Sequence, residues 1–456
     1  MNGGLFKSAS RFALVAAAGI VSGGIAAQAA DLGGNCCADL EERVAELEAT
    51  SARKGNRKVS LTVSGHVNEA LIFWDDGKER NAYVVNNENS RTRFRFVGDA
   101  KISSDLSAGY LLEFGASTTA SDGANQLNDD ASAPGVTIRH SAWWLDSKTM
   151  GRVWVGQTSS ASDGIASINL ANTGNGSSAS IFDMAGAGMI LRRGSNVASL
   201  PTQAATWGSL TPTGGGDLGD GSRRNLVKYV TPTFAGFTAS AAWGEDDFWD
   251  TALRYAGEFN GIRIAAGIAY QNITDTEFGC TGGLNASATN KTADCESIGG
   301  SGGIMHVPTG LFVHAAAGQF KDNLVKQNSN IGINAAARDS TSEYWYVQAG
   351  IEQNWFGVGK TTLYGEYYEG NFGTSVGVTD LARLATTANG FTAGSIASSE
   401  VTMWGLGFVQ SIDAAAMDLY LGYKNFSSDL HTGAAGNVKQ SPDDLKVFYA
   451  GGIIKF

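Results

Sequence analysis

The chain has 456 residues, of which 60 are glycine and only 6 proline, with 10% aromatic and 17% charged residues. Soluble domains run nearer about 7% glycine and about a quarter charged, and a formal charge of −11 argues against nucleic acid as a partner. Mean hydropathy is −0.10, and no apolar run approaches the roughly 18 to 20 residues of a membrane helix, which excludes a helical membrane protein. Much glycine, many rings and few charges suit one large closed sheet.

Residues 1–29 read as a secretory signal. Lys7 and Arg11 precede an apolar stretch from Phe12 to Val21, and Ala27-Gln28-Ala29 supplies a small-x-small cleavage site. Export implies a disulfide-permissive setting. Of the four cysteines, Cys280 and Cys295 lie in a Gly/Ser/Thr/Asn-rich segment and are expected to bridge, closing a loop. Zinc is the alternative, but no His or Asp cluster stands beside them at ligand spacing, so no metal or cofactor is expected. Cys36 and Cys37 are adjacent and are either free or paired between chains. Within residues 30–56, Leu40, Val44 and Leu47 follow heptad spacing among charged residues. This is two heptads at most and marginal alone. It reads as a short periplasmic helix that helps three chains associate, or as a charged lead-in to the first strand.

From Lys58 onward the apolar period becomes 2, so residues 57–456 read as an all-β domain. Val59, Leu61, Val63 and Val67 fall on one face and Ser60, Thr62, Ser64, His66 and Asn68 on the other. Arg91, Arg93 and Arg95 then alternate with Phe94 and Phe96. Cations on one face and rings on the other suit a barrel with lipid outside and water inside. The rule predicts sixteen strands, near 58–74, 91–102, 106–117, 136–146, 151–158, 222–232, 236–245, 248–258, 261–273, 296–307, 310–321, 342–355, 360–371, 399–411, 416–427 and 443–456. Short turns alternate with mostly longer polar loops, the outer-membrane pattern, with the short ends facing the periplasm.

Closure is required because hydrocarbon offers no hydrogen-bond partner to a free strand edge, and a barrel of this size leaves an aqueous lumen. Aromatic pairs stand where membrane interfaces are expected, including Phe73 and Trp74, Trp143 and Trp144, Tyr364, Tyr367 and Tyr368, and Phe448 and Tyr449. The last strand ends GGIIKF. Phe456, Ile454, Gly452, Ala450 and Phe448 share one face, and a terminal Phe there looks like the signal by which barrels are recognised by the outer-membrane assembly machinery.

These features resemble one family, the trimeric general porins of the alphaproteobacterial type. The carrying segments are CCADLEERVAELEATSARKGNRKVSLTVSGHVNEALIFWDD, WVGQTSSASDGIASINLA, YVTPTFAGFTASAAWGEDDFWDTALRYAGEFNGIRIAAGIAY, YWYVQAGIEQNW and the terminal strand with Phe456. The resemblance implies a homotrimer of sixteen-stranded antiparallel transmembrane barrels in the outer membrane of a Gram-negative bacterium. Each barrel would pass small hydrophilic solutes and ions passively, with a third loop folded into the lumen, its acids facing arginines on the wall.

Between Gly156 and Arg223 more than 60 residues show no persistent alternation, far beyond a hairpin connection. Residues 159–190 are expected to form the constriction, with Asp163 and Asp183 on its acidic side, and the second half of the loop to stay at the outer mouth. Arg91, Arg93, Arg95 and Arg152 are expected to face water opposite them, with Glu113 also facing the lumen. Arg139 shares its parity with Trp143, so its direction is left open. A bracing role for the same charges remains the alternative. Within transport the competing reading is a channel selective for a sugar or an oxyanion; outside it, a structural or adhesive barrel. An enzyme is not expected, because none of His66, His140, His306, His314 and His431 stands in a recognisable catalytic context.

Overall fold

In the computed structural model the described residues are 58–129, 135–194, 205–213, 215–245, 247–274, 280, 293–327, 333–374 and 396–456. The expected signal, the expected helical segment with Leu40, Val44 and Leu47, and Cys36 and Cys37 lie outside the described residues.

Eighteen hydrogen-bonded segments form one antiparallel sheet. They are β1 (Thr62–Asp75), β2 (Arg80–Asn86), β3 (Arg93–Lys101), β4 (Leu106–Ser117), β5 (Gly135–Ser147), β6 (Gly151–Ser159), β7 (Arg223–Val230), β8 (Phe237–Gly244), β9 (Trp249–Phe259), β10 (Ile262–Ile273), β11 (Cys295–His306), β12 (Leu311–Asp322), β13 (Thr341–Gln353), β14 (Thr361–Phe372), β15 (Ile396–Ile412), β16 (Met417–Thr432), β17 (Val438–Gln440) and β18 (Leu445–Lys455). Two of the barrel strands are interrupted. β2 and β3 pair with the upper and lower halves of β1, and β17 and β18 pair with successive stretches of β16. The result is a closed barrel of sixteen strands near the positions the alternation predicts, with β2 and β17 as additional paired segments that it did not predict. β1 closes on β18 from His66–Lys455 to Asp75–Lys446, and the Phe456 backbone exchanges hydrogen bonds of 2.9 and 3.0 Å with Gly65.

Along each strand the period of 2 sorts side chains between two solvents. On β1, Val67, Leu71 and Phe73 point outward and are exposed, whereas Asn68, Ala70, Ile72 and Trp74 point inward and are buried. The same alternation corrects the aromatic assignment. Adjacent rings on a strand cannot share a face, so Phe73, Trp143 and Phe448 lie on the outer skin while Trp74, Trp144, Tyr364, Tyr368 and Tyr449 turn inward and are buried. Several of these inner rings pack beneath the long loop between β6 and β7. β11 is glycine-rich for a related reason. A Cβ on Gly299 would come within 2.6 Å of the Leu218 carbonyl, and one on Gly303 within 3.4 Å of Leu170, both on that loop. Cys280 and Cys295 form the expected disulfide.

Candidate functional site

The wall of β3, β4 and β5 gathers cations. Period 2 turns Arg93 and Arg95 inward, and the register sets Arg95 opposite Glu113 of β4. Glu113 is fully buried. Its Oε2 accepts from Arg95 Nε at 2.6 Å, and its Oε1 accepts from Arg139 Nε at 2.8 Å and lies 3.4 Å from Arg93 Nη1. Three guanidinium groups thus share one carboxylate, and the wall keeps a net positive charge. Arg139 reaches the group through a β-bulge: Glu113 pairs with His140 and Phe114 with Ile138, so one residue of β5 is left over. The bulge turns Arg139 and His140 inward together. Its sequence signal was the broken parity between Arg139 and Trp143.

Arg223, on β7, lies within electrostatic reach of Arg93 and Arg139. Arg91 stands just before β3 and is held by Glu88, its Nε 2.7 and 2.8 Å from the two carboxylate oxygens. Arg152 is not brought into this group. It sits near the 148–150 turn at the rim that holds the chain terminus, paired with Asp146 at 3.0 Å, its guanidinium 5.3 Å from the Trp144 ring centroid.

The loop between β6 and β7 lines the opposite wall. Buried Asp250 of β9 accepts from Ala161 N at 3.1 Å, Ser162 N at 2.7 Å and Ser162 Oγ at 2.5 Å. Arg254, two repeats along the same face, donates to the carbonyls of Ala161 and Asp163 at 2.7 and 3.0 Å. Ile165 and Ile168 then pack on Leu226, Ala242, Ala252, Ala265 and Ala269 of the wall. Farther along, Asn169 reaches Gln348 at 2.8 Å, the Asn172 amide reaches Glu352 at 2.9 Å, and Ser177 donates to Glu366. Phe182 stacks on Phe426 at 5.2 Å, and buried Lys424 donates to the Ile181 carbonyl at 3.0 Å. Gly188 N finally meets the Asp122 carbonyl at 2.5 Å. The loop has then passed round the wall from β9 to β16 and arrived beside the segment that follows β4.

Its second half does not stay at the outer mouth. Residues 205–213 and 215–222 return inside the barrel, with the Leu210 carbonyl on Ser399 at 3.0 Å, the Gly216 carbonyl on Tyr368 at 2.7 Å and the Gly219 carbonyl on Gln271 at 2.7 Å. The returning limb brings Asp220 back to accept from Gly164 N at 2.6 Å and Ala166 N at 2.9 Å. The sequence concealed this because the limb contacts the wall largely through backbone carbonyls, which any residue supplies.

Asp163 and Asp183 are both half-buried, and among the described residues neither makes an ion pair. Asp163 acts electrostatically on His140 and Lys228, and Asp183 on Lys424. Three further acids join them from the loops. Burial, then the charges of Glu88 and Asp183, lifts the Asp122 carboxyl to about 7. Burial, then Asp163, lifts the Asp220 carboxyl to about 7 as well. Burial raises Asp217, with Asp220 adding to the effect. The lumen thus gathers the guanidinium groups of Arg93, Arg95 and Arg139 on the wall of β3 to β5, with Asp163, Asp183, Asp217 and Asp220 on the loop between β6 and β7 and Asp122 on the segment that follows β4.

A family model for the Gram-negative porins matches residues 13–431. The chain belongs to the Gram-negative porin family. The porin is similar in fold to OmpT of Vibrio cholerae, with 13% identity, 89% of this chain and 100% of that chain covered, and a TM-score of 0.50. A trimer form of OmpT covers 87% of this chain and 99% of that one at the same identity and TM-score. The anion-selective porin from Comamonas acidovorans is similar at 14% identity over 87% of this chain and 100% of that one, with a TM-score of 0.51. Among curated proteins none matches. Family and closed barrel together make this porin a passive diffusion channel for small hydrophilic solutes across the outer membrane of a Gram-negative bacterium.

Proposed function

We propose that selection in this porin is made by a transverse field between the wall arginines Arg93, Arg95 and Arg139, joined by Arg91 and Arg223, and the loop acids Asp163, Asp183, Asp122, Asp217 and Asp220. A dipolar solute aligns with such a field, whereas an apolar one gains nothing to offset the ordered water it displaces. The observation that carries the reading is the partner choice of the arginines. Arg93, Arg95 and Arg139 close on Glu113 of their own wall, and Arg91 on Glu88, which supports charges held apart across the lumen instead of bracing the loop. Arg152, paired near the periplasmic rim, belongs to the exit vestibule.

The working unit in this proposal is a homotrimer of the alphaproteobacterial type, as the OmpT trimer form supports by similarity of fold. The heptad residues Leu40, Val44 and Leu47 would aid association, and Phe456 on the outer skin would serve as the assembly signal. The test is the reversal potential of the channel in a planar bilayer under a salt gradient. Arg93→Ala removes one positive charge from the field, and its reversal potential moves towards cation preference. An unchanged value removes Arg93 from the field.

A further inference from the structure

Past Gly188 the long loop between β6 and β7 carries an arginine that pairs with another loop, not with the barrel wall. Arg192 is only 2% exposed. Its Nε lies 2.7 Å from Asp76 Oδ2, and its Nη2 donates to Glu79 Oε2 at 2.9 Å. Both acids belong to the turn between β1 and β2, at the outer mouth. The turn presents them: Asp76 Oδ1 accepts from the amides of Lys78 and Glu79 at 3.1 and 2.8 Å, which leaves Oδ2 for the guanidinium. Burying a cation is costly unless its counter-charges stay in place, so residue 192 is held where the turn puts it.

Two neighbours lock the same stretch. Gln126, beyond β4, grips the Ile190 backbone, its Oε1 accepting from the amide at 2.8 Å and its Nε2 donating to the carbonyl at 2.9 Å. The same Nε2 reaches Asp76 Oδ2 at 3.1 Å. Asp443, just before β18, donates from its amide to the Arg192 carbonyl at 2.6 Å and accepts from Gly194 N at 2.9 Å. The outgoing limb of the loop is also paired with the returning one. Leu191 N donates to the Ala205 carbonyl at 3.0 Å, and Trp207 N to the Met189 carbonyl at 2.9 Å. A displacement at Arg192 is therefore passed to both limbs, the one that carries Asp183 and the one that carries Asp217 and Asp220.

We propose that Arg192 is a positioning residue for solute passage: its pairing with Asp76 and Glu79 fixes the depth of both limbs in the bore, and the turn at the outer mouth thereby sets the largest solute that passes. The inference goes beyond selection by charge, and it rests on the loop narrowing the bore.

Polymer exclusion on single channels of the full chain in planar bilayers tests it, with neutral polyethylene glycols of graded mass. Polymers that enter the bore lower the current and larger ones do not, which gives each variant a size threshold on which a transverse field has no hold. The expected result is a threshold displaced by at least one member of the polymer series in Arg192→Met. The double variant Asp76→Asn with Glu79→Gln gives the same displacement, and the triple variant goes no further, because all three remove one contact. A wild-type threshold in Arg192→Met or in the double variant overturns the proposal, as do displacements that add. A lower unfolding temperature in detergent with the threshold unmoved makes Arg192 a brace of the mouth alone and also overturns it. Asp250→Ala, which frees the loop from the wall at its other end, separates the two claims. A displaced threshold there but not in Arg192→Met sinks the role of Arg192 and leaves the loop narrowing the bore, while no displacement in either variant sinks both.

Discussion

Glu113 decides how the charged wall is built. Without it, Arg93, Arg95 and Arg139 would repel one another on adjacent strands, and with it they form a compact group whose net charge is still positive. Glu113→Gln leaves the three guanidinium groups without a counter-charge. The expected cost is about 3 kcal/mol, the lower end for breaking a buried pair because Arg95 keeps contact with water. Thermal unfolding in detergent reads that loss, and the surviving channel shifts towards anion preference. The loop acids add a pH dependence whose sign is fixed. Asp122 and Asp220, both lifted to about 7, are mostly neutral near pH 6 and mostly ionised near pH 8, so cation preference rises across that interval. Reversal potentials at the two pH values check this, and a flat or falling cation preference contradicts it.

At the scale of elements, the loop between β6 and β7 is the part with most freedom to be wrong, because no ladder of strand hydrogen bonds holds it. Its first turn is clasped by Asp250 and Arg254 of β9, and its middle by Gln348, Glu352 and Glu366 of β13 and β14. Asp250→Ala removes the acceptor for two backbone amides and one hydroxyl, each buried donor left unmatched costing about 1 to 3 kcal/mol. The barrel itself keeps its strand pairing, so the predicted effect is local. Single-channel recordings of Asp250→Ala show more open-state current noise than wild type while the number of channels inserted is unchanged. Quiet traces from this variant would show that the clasp does not hold the loop.

For the whole molecule, the sequence carried the barrel and only part of its bore. Apart from the β2 and β17 segments, the barrel strands were legible because lipid outside and water inside enforce a period of 2, and the inward turn of Arg93 and Arg95 followed from the outward preference of Phe94 and Phe96. Three things were not legible, each for a physical reason. Arg139 and His140 both turn inward because a bulge adds a residue; the broken parity between Arg139 and Trp143 marked an irregularity there without giving the direction in which either side chain turns. Trp74, Tyr364, Tyr368 and Tyr449 read as interface rings, but a loop inside the barrel gives inward rings a dry place to pack, and periodicity alone does not reveal that loop. Arg152 has the right parity and the wrong height, since alternation fixes a face and says nothing of depth along the bore.

The central claim is that Arg93 and Arg95 line water while Phe94 and Phe96 line lipid. It is tested most directly by recording current through Arg93→Cys and Phe94→Cys channels while a membrane-impermeant, positively charged thiol reagent is added. Reaction at position 93 changes the single-channel conductance within seconds to minutes, and position 94 gives no change. The reverse pattern, with position 94 reacting from the aqueous bore and position 93 silent, contradicts the account.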